Sequence, residues 1–143
     1  RPLVAPLSGR ECVAYSAIAR TYIVEPRKRR RLDQELFETK ATQFTLATTD
    51  GDVVVDGELI DIPVRPMPLI PRKLDLERAF LERVDLGDQV QHAGFEEIVI
   101  TVGMKIRVNG VASSELAAHA AGETGFRDAP RQLKLGGKLR IAT

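Results

Sequence analysis

Residues 12–25, CVAYSAIARTYIVE, constrain the fold more than any other stretch, because β-branched and aromatic side chains recur there in partial alternation. Pro26 stops the run, since proline has no N–H to give to a strand ladder. A long strand from about Cys12 to Glu25 is expected, and the fold has to be built around a sheet. Pro2, Pro6, Ser8 and Gly9 make the preceding ten residues a turn-rich lead-in.

The rest of the chain repeats this grammar. The polar block before Phe44 reads as a long hairpin connection returning into a second strand. Thr49, Asp50 and Gly51 form a turn signal, followed by short strands at Val53–Val55 and Leu59–Val64 around Asp56 and Gly57, in the manner of a meander. MPLIPRK, residues 67–73, is proline-interrupted and is expected to be a loop or an extended edge. In LDLERAFLERVDL, Leu76, Phe80, Leu81 and Val84 fall at helical spacing with charges on the other face, so one short helix is expected. Segments 96–101 and 105–111 alternate on either side of Gly103 and read as a hairpin. Ser113 or Ser114 would cap a brief helical turn closed by Gly122, and LKL and LRI around Gly136 and Gly137 read as a final hairpin. The whole is mainly β: an antiparallel β barrel or sandwich with one or two short helices.

At 143 residues the chain suits one domain with a working hydrophobic core. One cysteine makes no internal bridge, and with only two histidines it makes no closed four-ligand zinc site. Folding therefore rests on burial. The absence of Trp and a 5% aromatic content leave few stacking platforms for single-stranded nucleic acid. The net charge of +1 hides an asymmetry, because five of the 21 basic residues are Arg27, Lys28, Arg29, Arg30 and Arg31. Without them 16 cations face 20 anions, a net −4. No apolar run approaches the ~18 residues of a membrane span, and no signal peptide is evident.

The chemistry-bearing residues carry bland readings. Cys12 sits at a strand start, remote in sequence from His92 and His119, and suits packing better than nucleophilic attack. Ser8-Gly9 lacks the first glycine and the following helix of a nucleophile elbow. Asp50 and Asp52 around Gly51, and Asp85 and Asp88 around Gly87, offer two carboxylates each where a calcium loop needs a longer series. No catalytic, cofactor-binding or metal-ligating residue is assigned. Arg27–Arg31 is expected to be an exposed, poorly ordered loop suited to an anionic surface, where each cation contributes about 1 kcal/mol.

Three phrases together resemble one family. PLSGRECVAY, with Pro6, Leu7, Ser8, Gly9, Cys12 and Tyr15, is similar to the opening of the GIDE or BAM ("beside a membrane") domain. FTLATTDGDVVVD and FEEIVITVGMKIRVNGVA follow in the family's order. The resemblance implies that residues 1–143 form a single soluble β domain belonging to a membrane-anchored parent. It would be a non-enzymatic, membrane-proximal interaction domain whose partner is a protein or an anionic membrane surface. The ligase activity of eukaryotic members resides in a RING domain rich in Cys and His, so it does not carry over to this chain. Two alternatives stay open, a small enzyme using Cys12 and a nucleic-acid binder using residues 27–31.

Overall fold

The structure is a computed structural model that describes residues 2–26, 29–116 and 131–143. The expected long strand is present as β2 (Glu11–Cys12) and β3 (Ala14–Glu25), with a bend at Val13 between them. β2 pairs with β1 (Leu3–Val4) in a small two-stranded ribbon. β3 is flanked by β4 (Arg29–Ala41) on one side and β9 (Gly94–Ile100) on the other, and β8 (Met67–Pro68) closes this four-stranded sheet in the order β4-β3-β9-β8. The MPLIPRK segment is thus an extended edge where it pairs.

A second sheet holds β5 (Phe44–Thr48), β6 (Gly51–Val55), β10 (Arg107–Leu116) and β11 (Arg131–Ala142) in the order β10-β11-β6-β5, and β7 (Glu58–Asp61) also pairs with β11. Neither sheet closes on itself, so the architecture is sandwich-like rather than a barrel. The expected Asp50-Gly51 turn joins β5 to β6, with Thr48 opposite Gly51.

β3 organises the core because its first half is buried on both faces. Tyr15, Ala17 and Ala19 pack with Phe80 and Leu81 of helix α1 (Leu74–Glu82), with Val90 of a 3-10 helix (Gly87–His92), and with Leu7 and Cys12. Ala14 and Ile100 instead pack with Leu59 and Ile141 of the second sheet and with Ile62 just after β7. Small alanines let two layers approach the strand at once, which is why its sequence alternates only partially.

Several expectations are corrected. The polar block is no connection but a thirteen-residue strand, β4, and Arg29–Arg31 belong to it. Glu25, Val24 and Ile23 are the register partners of Arg29, Arg30 and Arg31 across the ladder, and strand alternation sends Arg30 and Arg31 to opposite faces. Arg27 and Lys28 lie outside the described residues. Residues 96–111 are no hairpin: β9 pairs with β3 and, at Glu96 and Glu97, with β8, and the chain crosses through Gly103 to the other sheet, where β10 pairs with β11.

β6 and β7 do not form a meander; each pairs in parallel with a different half of β11. β11 is itself continuous, because Gly137 adopts φ +66° in a bulge that bends the strand instead of reversing it. Ser113 and Ser114 lie in β10 and cap no helix, while the remainder of that segment, with Gly122, falls outside the described residues. The helix is where expected, but Val84 lies beyond its end and is 43% exposed.

Candidate functional site

The opening phrase folds into a tight loop held from two directions. Gly9 donates to the Ala5 carbonyl and Ala5 to the Arg10 carbonyl, each at 2.9 Å. Gly9 has φ +73°, and a side chain there would come within 3.3 Å of Leu76 of α1. From the sheet, the buried Glu97 carboxylate of β9 accepts hydrogen bonds from the Leu7 amide at 2.8 Å and the Ser8 amide at 3.2 Å. Lys73 Nζ donates to the Ser8 carbonyl at 2.8 Å. The first and third sequence phrases therefore meet, with Glu97 as the link.

Beneath this loop Cys12 is buried among Ala5, Leu7 and Tyr15, while the neighbouring Val13 packs on the other cluster. Burial pushes the Cys12 thiol up, and the Glu97 charge pushes it in the same direction. A thiol so placed is held protonated and behaves as a small apolar group. Tyr15 is also buried and donates its hydroxyl to Glu38, whose other oxygen pairs with Arg83. Burial first, then the bond to Glu38, raises the Tyr15 hydroxyl above its ordinary range. These residues of the phrase are structural anchors.

The helix carries a buried charge that sequence reasoning missed. Glu77 is fully buried and is held by Arg72, at 2.7 Å from Nη2 and 3.0 Å from Nε, with Arg72 also donating to the Val90 carbonyl. The signal was present in the spacing, because Glu77, Phe80 and Leu81 stand at i, i+3 and i+4 on one helix face.

Arg30 and Arg31 of the basic run lie at the outer end of the β3–β4 ladder, opposite Val24 and Ile23. Arg30 lies over the Tyr22 ring, 4.7 Å from its centroid, and donates to the His92 carbonyl at 3.4 Å. Exposed aliphatic side chains lie beside Arg30 and Arg31: Ile23, Val24 (66% exposed) and Leu32. Between Ile23 and Asp33 the sequence has five cations and only two carboxylates, Glu25 and Asp33. Sequence reasoning found the charge but not the exposed aliphatics, which it had assigned to a strand and a connection.

A second surface feature is a cleft of about 630 Å³ between the opening loop, the chain around residues 64–71 and β9. Its walls include Ile98, Val99 and Leu69, and the cations Arg10, Arg65 and Lys73 line it. The acidic turns lie elsewhere. Asp50 is part of the β5–β6 turn, where its backbone N–H donates a hydrogen bond to Thr48 Oγ1, and Asp85 adopts φ 60° beyond the end of α1. His92 is exposed, and His119 is outside the described residues.

No family model, curated protein or solved structure matches this chain significantly. Among the described residues no helix is long and apolar enough to cross a membrane.

Proposed function

We propose that this chain is a non-enzymatic interaction domain of the GIDE/BAM kind that rests against an anionic membrane surface through the end of its β3–β4 hairpin. One observation carries the reading: exposed Ile23, Val24 and Leu32 lie beside Arg30 and Arg31 at the end of the ladder. Guanidinium groups pair with headgroup phosphates, and short aliphatic side chains reach the boundary between headgroup and acyl chain. The link between Glu97 and the PLSG loop supports the family part of the proposal, because it gives two widely separated phrases one structural purpose. The Cys12 enzyme alternative gains no support from a buried thiol that is held protonated.

The test is co-sedimentation with vesicles containing phosphatidylserine, compared with vesicles of phosphatidylcholine alone. Binding only to the anionic vesicles, weakened by salt, is expected. Changing residues 27–31 to Gln should abolish it, since about 1 kcal/mol is lost per cation. Ile23→Ser with Val24→Ser and Leu32→Ser should weaken binding without changing its salt dependence. Equal binding by the wild type and the Gln variant sinks the proposal. Stronger retention on a DNA or RNA oligonucleotide than on vesicles would favour the nucleic-acid reading instead.

A further inference from the structure

The cleft beside the opening loop has a composition that the hairpin reading does not use. Its floor is apolar, from Ile98, Val99 and Leu69, and its lips carry exposed Ile70 (89%) and Met104 (40%). Its charged groups are Arg10, Arg65, Lys73 and Glu97. Glu97 accepts the Leu7 and Ser8 amides, one on each oxygen, and is the one acidic side chain among the lining residues, against three cations. Lys73 is partly engaged by the Ser8 carbonyl. Arg10 and Arg65 are exposed and make no ion pair among the described residues.

One wall is also a strand edge. β8 covers β9 only at Glu96 and Glu97, so from Ile98 to Ile100 the strand has no partner on that side among the described residues. An exposed strand edge is a template for added main chain, and alternate side chains of an added strand fall into pockets beside it. A bare edge between apolar walls and two unpaired cations calls for an occupant that supplies backbone, small apolar side chains and carboxylates together.

We infer that the cleft binds an extended acidic peptide segment of a partner protein, which adds as a strand beside Ile98–Ile100 and sets its carboxylates against Arg10 and Arg65. The inference is independent of membrane binding, and its test needs no vesicles. A short fluorescent peptide alternating valine and glutamate is titrated into the whole protein, and anisotropy is read. Its controls are the lysine-for-glutamate peptide and an acidic peptide N-methylated at alternate residues, which cannot complete a ladder.

The acidic peptide should bind, and both controls should not. Arg10→Glu with Arg65→Glu should lower affinity about tenfold or more, since reversal replaces complementary charge by like charge. Both residues are exposed, so the fold should persist, which a circular dichroism spectrum checks. Amide shifts on peptide addition should centre on Ile98–Ile100. Equal binding of the acidic and basic peptides, undiminished binding of the methylated one, or shifts centred on the β3–β4 end would each overturn the inference. So would loss of vesicle binding in the Arg10/Arg65 variant without any peptide discrimination, which would make the cleft a lipid site.

Discussion

The β3–β4 ladder has two halves that differ in everything except hydrogen bonding. From Ala14 to Thr21, β3 is covered on both faces, and its side chains are small or firmly anchored: Ala17 and Ala19 between layers, Tyr15 bonded to Glu38. From Tyr22 to Glu25 the same strand projects beyond the core, and its aliphatic side chains meet solvent. The boundary is a register shift. Thr21 faces Gln34 while Tyr22 faces Leu32, so Asp33 is the extra residue of a bulge, and Thr21 Oγ1 accepts the Gln34 amide at 3.2 Å. Exposed aliphatics in the outer half make no contribution to a core, and the proposed membrane contact would give them a use.

The comparison breaks most visibly if the inner half is not the energetic centre. Phe80→Ala removes a fully buried ring that packs on the inner half of β3, and it should cost about 3–5 kcal/mol in urea unfolding. A loss below about 1 kcal/mol would mean that the helix is not part of the cooperative unit. Next comes Glu97→Ala, which leaves the Leu7 and Ser8 amides without their carboxylate and should cost about 1.5–3 kcal/mol. Hydrogen exchange at those two amides should rise far more than at β3 amides. If all amides accelerate equally, Glu97 supports the whole sheet rather than the loop.

The difference between the halves also explains what could be read from sequence. CVAYSAIARTYIVE declared a strand because its side chains do, and LDLERAFLER declared a helix through the spacing of Phe80 and Leu81. Pairing was harder, because alternation says that a segment is extended but not which neighbour it takes. Residues 96–111 look like a local hairpin until β10 is seen to take its partner, β11, in the other sheet. Gly136-Gly137 looks like a turn until β11 is seen to need a bulge between its partners β6 and β7. Arg29–Arg31 were masked as strand by their charge. Of the surface features, the cation run was legible. The cleft was not, because Arg10, Arg65 and Ile98 are far apart in sequence.

Alkali should separate the halves by a smaller margin. Tyr15 and Cys12 both have acidities weakened by the fold, chiefly through burial. Each protonated group therefore contributes stability that is fully present below its unfolded value, about 8.5 for cysteine and about 10 for tyrosine, and is lost as pH rises beyond it. Melting temperature should be level from neutral pH to about 8 and fall progressively above that. Tyr15→Phe with Cys12→Ala should flatten the alkaline fall, although the pair is less stable at neutral pH through the lost Glu38 bond. An unchanged slope would show that other groups control the alkaline limb.

The smallest effect belongs to the outer half, and there a near-zero result is informative. Val24 and Leu32 are about half exposed or more and Ile23 more than a third, so removing their methyl groups returns little surface to water. Arg30→Gln loses the stack on Tyr22 and a long hydrogen bond to the His92 carbonyl, together worth about 0.5–1 kcal/mol at an exposed site. Ile23→Ser, Val24→Ser and Leu32→Ser should each change stability by no more than about 0.5 kcal/mol, as ordinary surface substitutions do. The bulge at Asp33 should act as a break, so that fraying of the outer pairs is not passed to Ala14–Thr21. Hydrogen exchange on an Arg30→Gln variant tests this directly: the amides of residues 22–25 and 30–32 should accelerate while those of residues 14–20 keep their protection. Acceleration along the whole of β3 would show one continuous ladder, and the aliphatic side chains at its end would then be part of what holds the sheet together rather than a surface kept for a membrane.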